Sequence, residues 1–549
     1  MLKNNLYVYS EDEVWVPANL NFGEYFLRRA YQFKDKPAFI NAATHEVYTF
    51  GELLQDSMNV AVSLTHIGVR KGNVVAICTE SRKEFWSAVI GTVCTGAVLS
   101  PVNPGYTAGE LKHILGIAEP NYVFCSPSFY EKQEKTLRSL TFLKKIIVFG
   151  DKCPSDVLLY RDLVLPISGD AKSGIIVTNR LTRDVRYEEF TVADVCGGSD
   201  ALFILYSSGT TGLPKGVMLT HLNVLTSCSL PSAVDPNTMG LIITPWYHTM
   251  GLVGTFNSLV LGRSLVYLSK FELDLYLRTI ERYKISHLNI VPPVLVAACK
   301  SEAQYDLSSV QLIYSGGAPL QNDTLSIVKT KFPNIIAVTQ GYGMTETTLA
   351  VVRTLFQNAK QGKAGSVGLV TPGTVAKVVD IETRKPVGPN VHGELCFKGP
   401  LIMKGYIGKD KTDDFDDEGF FKTGDIGYYD DDKYFFIVDR LKELIKYKAF
   451  QVPPAEIEAL LLQHEAVQDA GVVGLKHKES GEVPLAFVVK RPGKTVTEKE
   501  IQAFVAERLS NPKHLRGGVR FVTAIPKNPS GKILRKELRK MASKAASKL

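Results

Sequence analysis

No run of this 549-residue chain is long and apolar enough to cross a bilayer. The charge-free stretch from Trp86 to Gly109 is broken by Pro101, Asn103 and Pro104, leaving less than the roughly 20 apolar residues that about 30 Å of hydrocarbon needs. The N-terminal residues MLKNNLYVYSEDEVW carry acids and lack an apolar core followed by small residues, so no secretory signal is expected. Cysteine is sparse. Cys78, Cys94, Cys125, Cys153, Cys196, Cys228, Cys299 and Cys396 never fall in CxxC spacing, which argues against a zinc site or a disulfide framework and for reduced thiols. Internal repeats and low-complexity segments are missing. No G-x-x-x-x-G-K-S/T register occurs either, so a P-loop nucleotidase is disfavoured.

What is present is ordinary globular usage: 45% hydrophobic and 22% charged residues with a mean hydropathy of +0.01. The length corresponds to about three or four domain equivalents. The formal net charge of +8 is uneven, because residues 441–549 hold 21 Lys or Arg against 11 Asp or Glu. Such a basic region suits an anionic ligand or surface. The stacking aromatics and basic readers of nucleic-acid binders form no cluster, so no nucleic-acid partner is expected.

Between Thr49 and Val69, Leu53, Leu54, Met58, Val60, Ala61 and Leu64 recur at helical spacing, with Thr49 placed to cap and Gly68 to close. VVAIC (74–78) reads as a buried strand, a second helical pattern begins near Arg82, and strands recur at NYVFC and KIIVFG. This alternation predicts α/β layers with mostly parallel strands. HGELCFKG and KYFFIVDR alternate as antiparallel strands do, around the acidic turn DFDDEGFF. After Arg440 the charged LKELIKYK leads to Pro453-Pro454 and a helix, AEIEALLLQ. A boundary is therefore expected there, dividing the chain into 1–440 and a small α+β domain, 441–549. In the latter, AGVVGL, PLAFVVK and VRFVTAI read as strands and Glu498–Leu509 as a helix.

The sharpest local signal is YSSGTTGLPKGV (206–217), directly after the apolar ALFIL. The hydroxyls of Ser207, Ser208, Thr210 and Thr211, the flexible Gly209 and Gly212, and Lys215 together suit a loop that wraps phosphate oxygens. Two further polar, Gly-rich turns follow strand-like runs: Ser315, Gly316, Gly317, Ala318 and Pro319 after VQLIY, and Gln340, Gly341, Tyr342, Gly343, Met344, Thr345 and Glu346 after IIAVT. Ligands of open α/β sheets gather at such strand ends. A flat base would slot between Gly316-Gly317 and the Tyr342 ring. Thr345 and Glu346 offer hard oxygens of the kind Mg²⁺ accepts. Asp425 and Arg440 are candidates for ribose hydroxyls, and Lys532, in a turn of the basic domain, for stabilising charge at phosphorus.

Together YSSGTTGLPKGV, QGYGMTE, KTGD, RLKELIKYK and NPSGKILRKELR resemble the adenylate-forming superfamily of acyl-CoA synthetases, 4-coumarate:CoA ligases and beetle luciferases. The resemblance implies a large N-terminal α/β region with a β-barrel part and a small mobile C-terminal domain hinged near Lys442. It also implies an activity: a carboxylate attacks the α-phosphate of Mg-ATP to give acyl-AMP, which passes to coenzyme A. By the same resemblance Lys532 binds the reacting groups, Lys446 and Gln451 contact the adenylate, and His248 lies beside the carboxylate. Lys448 and Ala449 fall where coenzyme A passes, and the family usually has glycine at the latter.

Which acid is used depends on the pocket. Luciferases resemble one another in an arginine near the luciferin phenol, where this chain has Ser227 and no Lys or Arg between His221 and His248. They also carry serine where Leu349 stands. Trp246, Met250, Leu252, Val253 and Leu349 are expected to form an apolar slot, in which each buried CH₂ contributes about 0.8 kcal/mol. The expectation is a fatty acyl-CoA synthetase for medium or long chains, with an oxygen-dependent luciferase or an aryl-CoA ligase as alternatives. A monomer is expected. The terminal Ser547, Lys548 and Leu549 read as a peroxisomal address, making an import receptor the expected partner and the peroxisome the expected location.

Overall fold

The helix Phe50–His66 shows how directly the local pattern is realised. Thr49 and Glu52 exchange hydrogen bonds in a capping box. At the other end Gly68 takes a φ of +99°, its N–H donates to Thr65 O, and Val69 N–H reaches Leu64 O at 2.9 Å. That is a Schellman ending, which needs the left-handed residue glycine supplies. The neighbouring helix Glu84–Cys94 is buried from Phe85 onward, as a helix apolar on every side must be. It approaches Phe50–His66 at Gly91, where a β-carbon would fall 2.6 Å from Val60 Cγ1 and 2.9 Å from Ser57 O.

This computed structural model describes every residue except 1–5, 166–183, 208–213, 233, 317–321, 355–362, 364, 449, 478–479, 528–532 and 547–549. Two large sheets dominate. One has eight strands in the order Gly405–Tyr406, Lys215–Thr220, Ala201–Ser207, Val98–Pro101, Val74–Cys78, Tyr122–Cys125, Lys145–Val148 and Leu158–Leu159. It is parallel from Ala201–Ser207 onward and antiparallel at the other edge. The second has nine strands, with a parallel centre formed by Ala337–Gly343, Leu312–Ser315, His287–Ile290, Gly240–Ile242, Leu265–Tyr267 and Pro37–Asn41. The main core, including Trp86, Phe256, Phe203, Phe39 and Trp246, draws on both sheets.

The β-barrel part implied by the resemblance is an open antiparallel sheet, with no closed barrel among the described residues. Its path runs Tyr7–Tyr9, Val375–Val379, Gly393–Lys398, Phe421–Tyr429 and Phe435–Arg440. Closure would require Phe435–Arg440 to meet Tyr7–Tyr9. At Phe435 its backbone is instead engaged by another segment, since Phe435 N–H donates to Gly368 O and Phe435 O accepts from Val367 N–H, each at 2.9 Å. Backbone groups paired in this way are not open to a further strand.

A separate sheet in the C-terminal region orders Phe450–Val452, Ile445–Tyr447, Gly481–Lys490 and Val467–His477, with Val519–Phe521 parallel to Gly481–Lys490. It has its own core around Ile457, Val472, Ala486 and Ile501. The helices Pro454–Leu461 and Glu498–Arg508 lie where the sequence places them. The eight cysteines are free thiols, and no described helix is long and apolar enough to cross a membrane.

Candidate functional site

Three strand ends bring the polar motifs together. Ala201–Ser207 ends in Ser207, Leu312–Ser315 ends in Ser315, and Ala337–Gly343 carries Gln340 beside Ser315 in register. The Gln340–Glu346 motif is thus not all turn, because its first four residues continue the strand. Its glycines answer to packing. A β-carbon on Gly341 would fall 1.7 Å from the Tyr314 hydroxyl, and one on Gly343 equally close to Leu349 O.

Glu346 sits in the single turn Thr345–Thr347, just past that strand, and is 4% exposed. One carboxylate oxygen, Oε1, accepts from Ser207 Oγ and from Tyr406 OH, both at 2.7 Å. The side chain therefore joins the two large sheets. Lys215 Nζ lies 4.4 Å from the centre of the Tyr406 ring. Burial first, then Lys409 and Lys442, lower the Lys215 pKa, with Asp414 and Glu346 opposing. A lysine held among other cations is short of negative charge, as a phosphate-binding lysine should be before its ligand arrives. The second oxygen of Glu346 has no hydrogen bond among the described residues, so it fits the hard-oxygen shell of Mg²⁺. No cluster of three or more metal-ligating side chains occurs among the described residues.

The Tyr342 hydroxyl, at the edge of its ring, is engaged. It donates to Asp425 Oδ2 at 2.7 Å, and Arg440 Nε meets Oδ1 at 3.0 Å. Asp425 and Arg440 are register partners on neighbouring antiparallel strands. Burial works against the Arg440 charge, but Asp425, Tyr342, Glu346 and Glu443 together outweigh it and raise its pKa. Burial, with Asp425 next, pushes the Tyr342 hydroxyl up. Ser315 Oγ is buried with no partner. A buried hydroxyl without a partner is costly, and its place at a strand end beside Gly316 suits a ligand that would satisfy it.

The expected apolar slot divides. Leu252 and Val253 are wholly buried in the main core with Trp246, which packs on Phe85, Trp86 and Tyr267. Leu252 and Val253 lie there because the helix Thr249–Leu259 turns that face inward. Met250 and Leu349 are partly exposed, and Met250 Cε comes within 3.1 Å of the point a Gly316 β-carbon would occupy. His248 precedes that helix with its ring accessible, and partial desolvation lowers its pKa. Ser227 is buried and exchanges hydrogen bonds with Asn257 at 3.1–3.2 Å.

From the C-terminal region, Lys446 and Lys448 are exposed. Lys446 N–H donates to Glu482 Oε2 at 3.0 Å, and Lys448 holds a φ of +51° in a tight turn whose next residue is Ala449. Gln451 pairs with Lys446 across the hairpin Ile445–Val452. Lys442 is exposed between Arg440 and that hairpin. Ser208, Gly209, Thr210, Thr211, Gly212, Gly317, Ala318, Pro319, Ala449, Lys532, Ser547, Lys548 and Leu549 lie outside the described residues, as does the Gln451 side chain. Sequence reasoning missed Tyr406, which buttresses Glu346 from sixty positions away; nothing local to GYIG marks it.

The AMP-binding enzyme family matches residues 26–407, and the AMP-binding enzyme C-terminal domain matches residues 456–532. A luciferin 4-monooxygenase of Nipponoluciola cruciata is 40% identical over 522 residues, covering 93% of this chain and 92% of that protein. A probable 4-coumarate–CoA ligase 1 of Dictyostelium discoideum is 36% identical over 517 residues, 92% of each. Among solved structures, ATP-bound MatB from Rhodopseudomonas palustris aligns with a TM-score of 0.81 at 29% identity, covering 95% of this chain and 99% of that one.

Proposed function

The chain belongs to the AMP-binding enzyme family, the ATP-dependent adenylate-forming ligases and luciferases, and on that premise we propose that it is an AMP-forming fatty acyl-CoA synthetase. One observation carries the reading. Glu346 and Tyr342, four positions apart on one segment, tie the eight-stranded and antiparallel sheets to the nine-stranded one through Ser207, Tyr406 and Asp425. Lys215, over the Tyr406 ring, and Arg440, on the Asp425 carboxylate, flank that junction.

In this reading the substrate carboxylate, beside His248, attacks the α-phosphorus of ATP. The P–O bond to the β-phosphate breaks, and pyrophosphate leaves with the electron pair. Lys215 and the hydroxyl loop hold phosphate oxygens, the Asp425 carboxylate accepts from ribose hydroxyls, and Lys532 stabilises charge at phosphorus. Mg²⁺, when bound with Glu346 among its ligands, neutralises phosphate charge. The thiol of coenzyme A then attacks the acyl carbonyl and AMP departs, with Lys446, Gln451, Lys448 and Ala449 on the face that serves this second step. We place the division between the two domains at 440/441 with Lys442 as hinge. In support, the hairpin Ile445–Val452 already pairs with the C-terminal sheet.

The fatty-acid reading is supported by the partly exposed Met250 near Gly316 and Leu349 beside Gly343, and by Ser227 being spent on Asn257. Its test is a single competition: purified protein, Mg-ATP and coenzyme A with pooled C8 to C20 fatty acids, 4-coumarate and luciferin, read by mass spectrometry while light is recorded. Fatty acyl-CoA without appreciable light is expected. Light with little thioester would select the oxygen-dependent reading, and coumaroyl-CoA as main product the aryl one. We also propose a peroxisomal location through Ser547–Leu549. Deleting these three residues should leave a tagged protein in the cytosol, and unchanged import would reject the address.

A further inference from the structure

The nine-stranded sheet has two unlike faces. One packs on helices through Leu241, Leu288 and Ile313. The opposite face is apolar where Phe39, Leu265 and Tyr267 enter the main core. Farther along it turns polar, with Asn289 beside Tyr314, Tyr314 beside Thr339, and Arg353 opposite Gly341. Central strands of parallel sheets are normally apolar on both faces. Strand His287–Ile290 is flanked on both sides, yet Asn289 is exposed. A break of this kind in a local rule marks function more often than poor design.

Over this polar patch lies a cavity of about 130 Å³ lined by Arg353, Arg263, His287, Asn289, Tyr314 and Thr339 among others. Its charge is positive and weakly compensated. Arg263 gives Nε to Thr238 O at 2.9 Å and NH2 to Met239 O at 3.0 Å, both neutral carbonyls. Arg353 gives NH2 to Pro231 O at 2.9 Å, and its Nε is buried with no partner among the described residues. Neither arginine forms an ion pair among the described residues. Asp235 is the one carboxylate that acts on Arg263 and His287. Burial lowers the Arg353 pKa, the direction expected of a cation whose hydration is not replaced.

The cavity adjoins the candidate site through Tyr314. The ring edge lies 3.8 Å from the point where a Gly316 β-carbon would stand, Met250 Cε lies 3.1 Å from the same point, and the hydroxyl abuts Gly341. Tyr314 thus touches both the cavity and the segment Ser315–Gly316. The cavity volume is close to that of an engineered cavity of about 150 Å³ that holds benzene, so it accommodates a chain end or a single ring.

We propose that this cavity receives the distal end of the acid and that Arg353 selects acids ending in a hydrogen-bond-accepting oxygen over those ending in a methyl group or a bare ring. The proposal rests on the acid-activating reading above and narrows its substrate class. An apolar end would leave the Arg353 N–H groups desolvated and unpaired, and sites built around such donors discriminate strongly against analogues that lack the acceptor.

The test is kcat/KM for matched pairs: dodecanoate against 12-hydroxydodecanoate and dodecanedioate, and cinnamate against 4-hydroxycinnamate, measured as pyrophosphate release and as thioester. In the wild-type protein the oxygen-ended member of at least one pair should be favoured about tenfold or more. The pair showing this tells an aliphatic oxygen from a phenol. Arg353→Met should cut that ratio at least tenfold, and Arg353→Lys, which keeps a charge in case the first variant folds poorly, should retain part of it. Preference for methyl-ended and unsubstituted acids in the wild type would overturn the proposal, as would equal loss on both members of a pair in Arg353→Met. Absence of pyrophosphate release with every acid would instead overturn the acid-activating reading itself, and the selectivity proposal with it.

Discussion

Tyr342 donates its hydroxyl to Asp425 across 2.7 Å, tying the nine-stranded sheet to the antiparallel one at the point where Arg440 engages the same carboxylate. The contact aligns two strands that the sequence separates by eighty-three positions. It also leaves Asp425, only 5% exposed, as an acceptor held from two sides.

Asp425→Asn keeps the shape of this junction and removes its charge. Hydrogen bonds to charged groups contribute roughly 1.5–3 kcal/mol, so ATP affinity should fall by about tenfold or more in equilibrium binding. Asp425→Ala also strips the partner from Arg440, and its denaturation midpoint should drop on the scale of about 3 kcal/mol. Unchanged ATP affinity in both variants would remove Asp425 from the nucleotide site.

The two half-reactions should separate by mutation. Lys532→Ala is expected to slow acyl-AMP formation by roughly 10²- to 10³-fold, the scale for deleting one transition-state donor, while thioester formation from supplied acyl-AMP proceeds. Lys446→Ala should mainly slow the coenzyme A step. A variant equally impaired in both would refute the two-face assignment.

Gly341 should not tolerate a side chain, because Tyr314 already occupies the space. Gly341→Ala is expected to cost about 1–3 kcal/mol, as overpacking does. Adding Tyr314→Ala should restore part of that loss, giving a favourable coupling in a double-mutant cycle. Additive losses would mean that the glycine serves something other than this packing.

His221 gives the protein an acid sensitivity of its own. Its Nδ1 accepts from Phe22 N–H at 3.0 Å, the ring is fully buried, and burial drives its pKa from 6.5 down to about 4. The unfolded chain then binds more protons than the folded one between pH 6.5 and 4, so stability falls as pH drops through that window. The loss should reach about 2 kcal/mol by pH 4.5. His221→Gln, which keeps an acceptor for Phe22 N–H without a titrating ring, should flatten the dependence of the urea midpoint on pH. An identical slope in the variant would shift the effect to other groups, such as His287.

Much was legible before any coordinates. The capped helix Phe50–His66, the parallel strands around VVAIC, the strands HGELCFKG and KYFFIVDR, which flank Phe421–Tyr429 in the antiparallel sheet, and the helix after Pro453 follow from apolar spacing and end residues. Such signals are local and repeat every 2 or 3.6 residues. The motifs likewise pointed to the family, because phosphate-wrapping loops are contiguous in sequence.

Tertiary structure decided which face each residue presents and what covers it. Leu252 and Val253 share the apolar character of Met250, but only packing against Phe256 and its neighbours shows them to be core. Glu346 and Tyr406, Tyr342 and Asp425, and Arg353 and Pro231 meet across sheets or long loops. The antiparallel sheet stays open because the backbone at Phe435 is paired with the segment at Gly368. The sequence by itself determined the elements and the chemistry they carry, because backbone propensity and motif chemistry act between near neighbours. The position of the cation over the polar sheet face was decided only by folding, which alone brings Asn289, Tyr314, Thr339 and Arg353 onto neighbouring strands of one sheet.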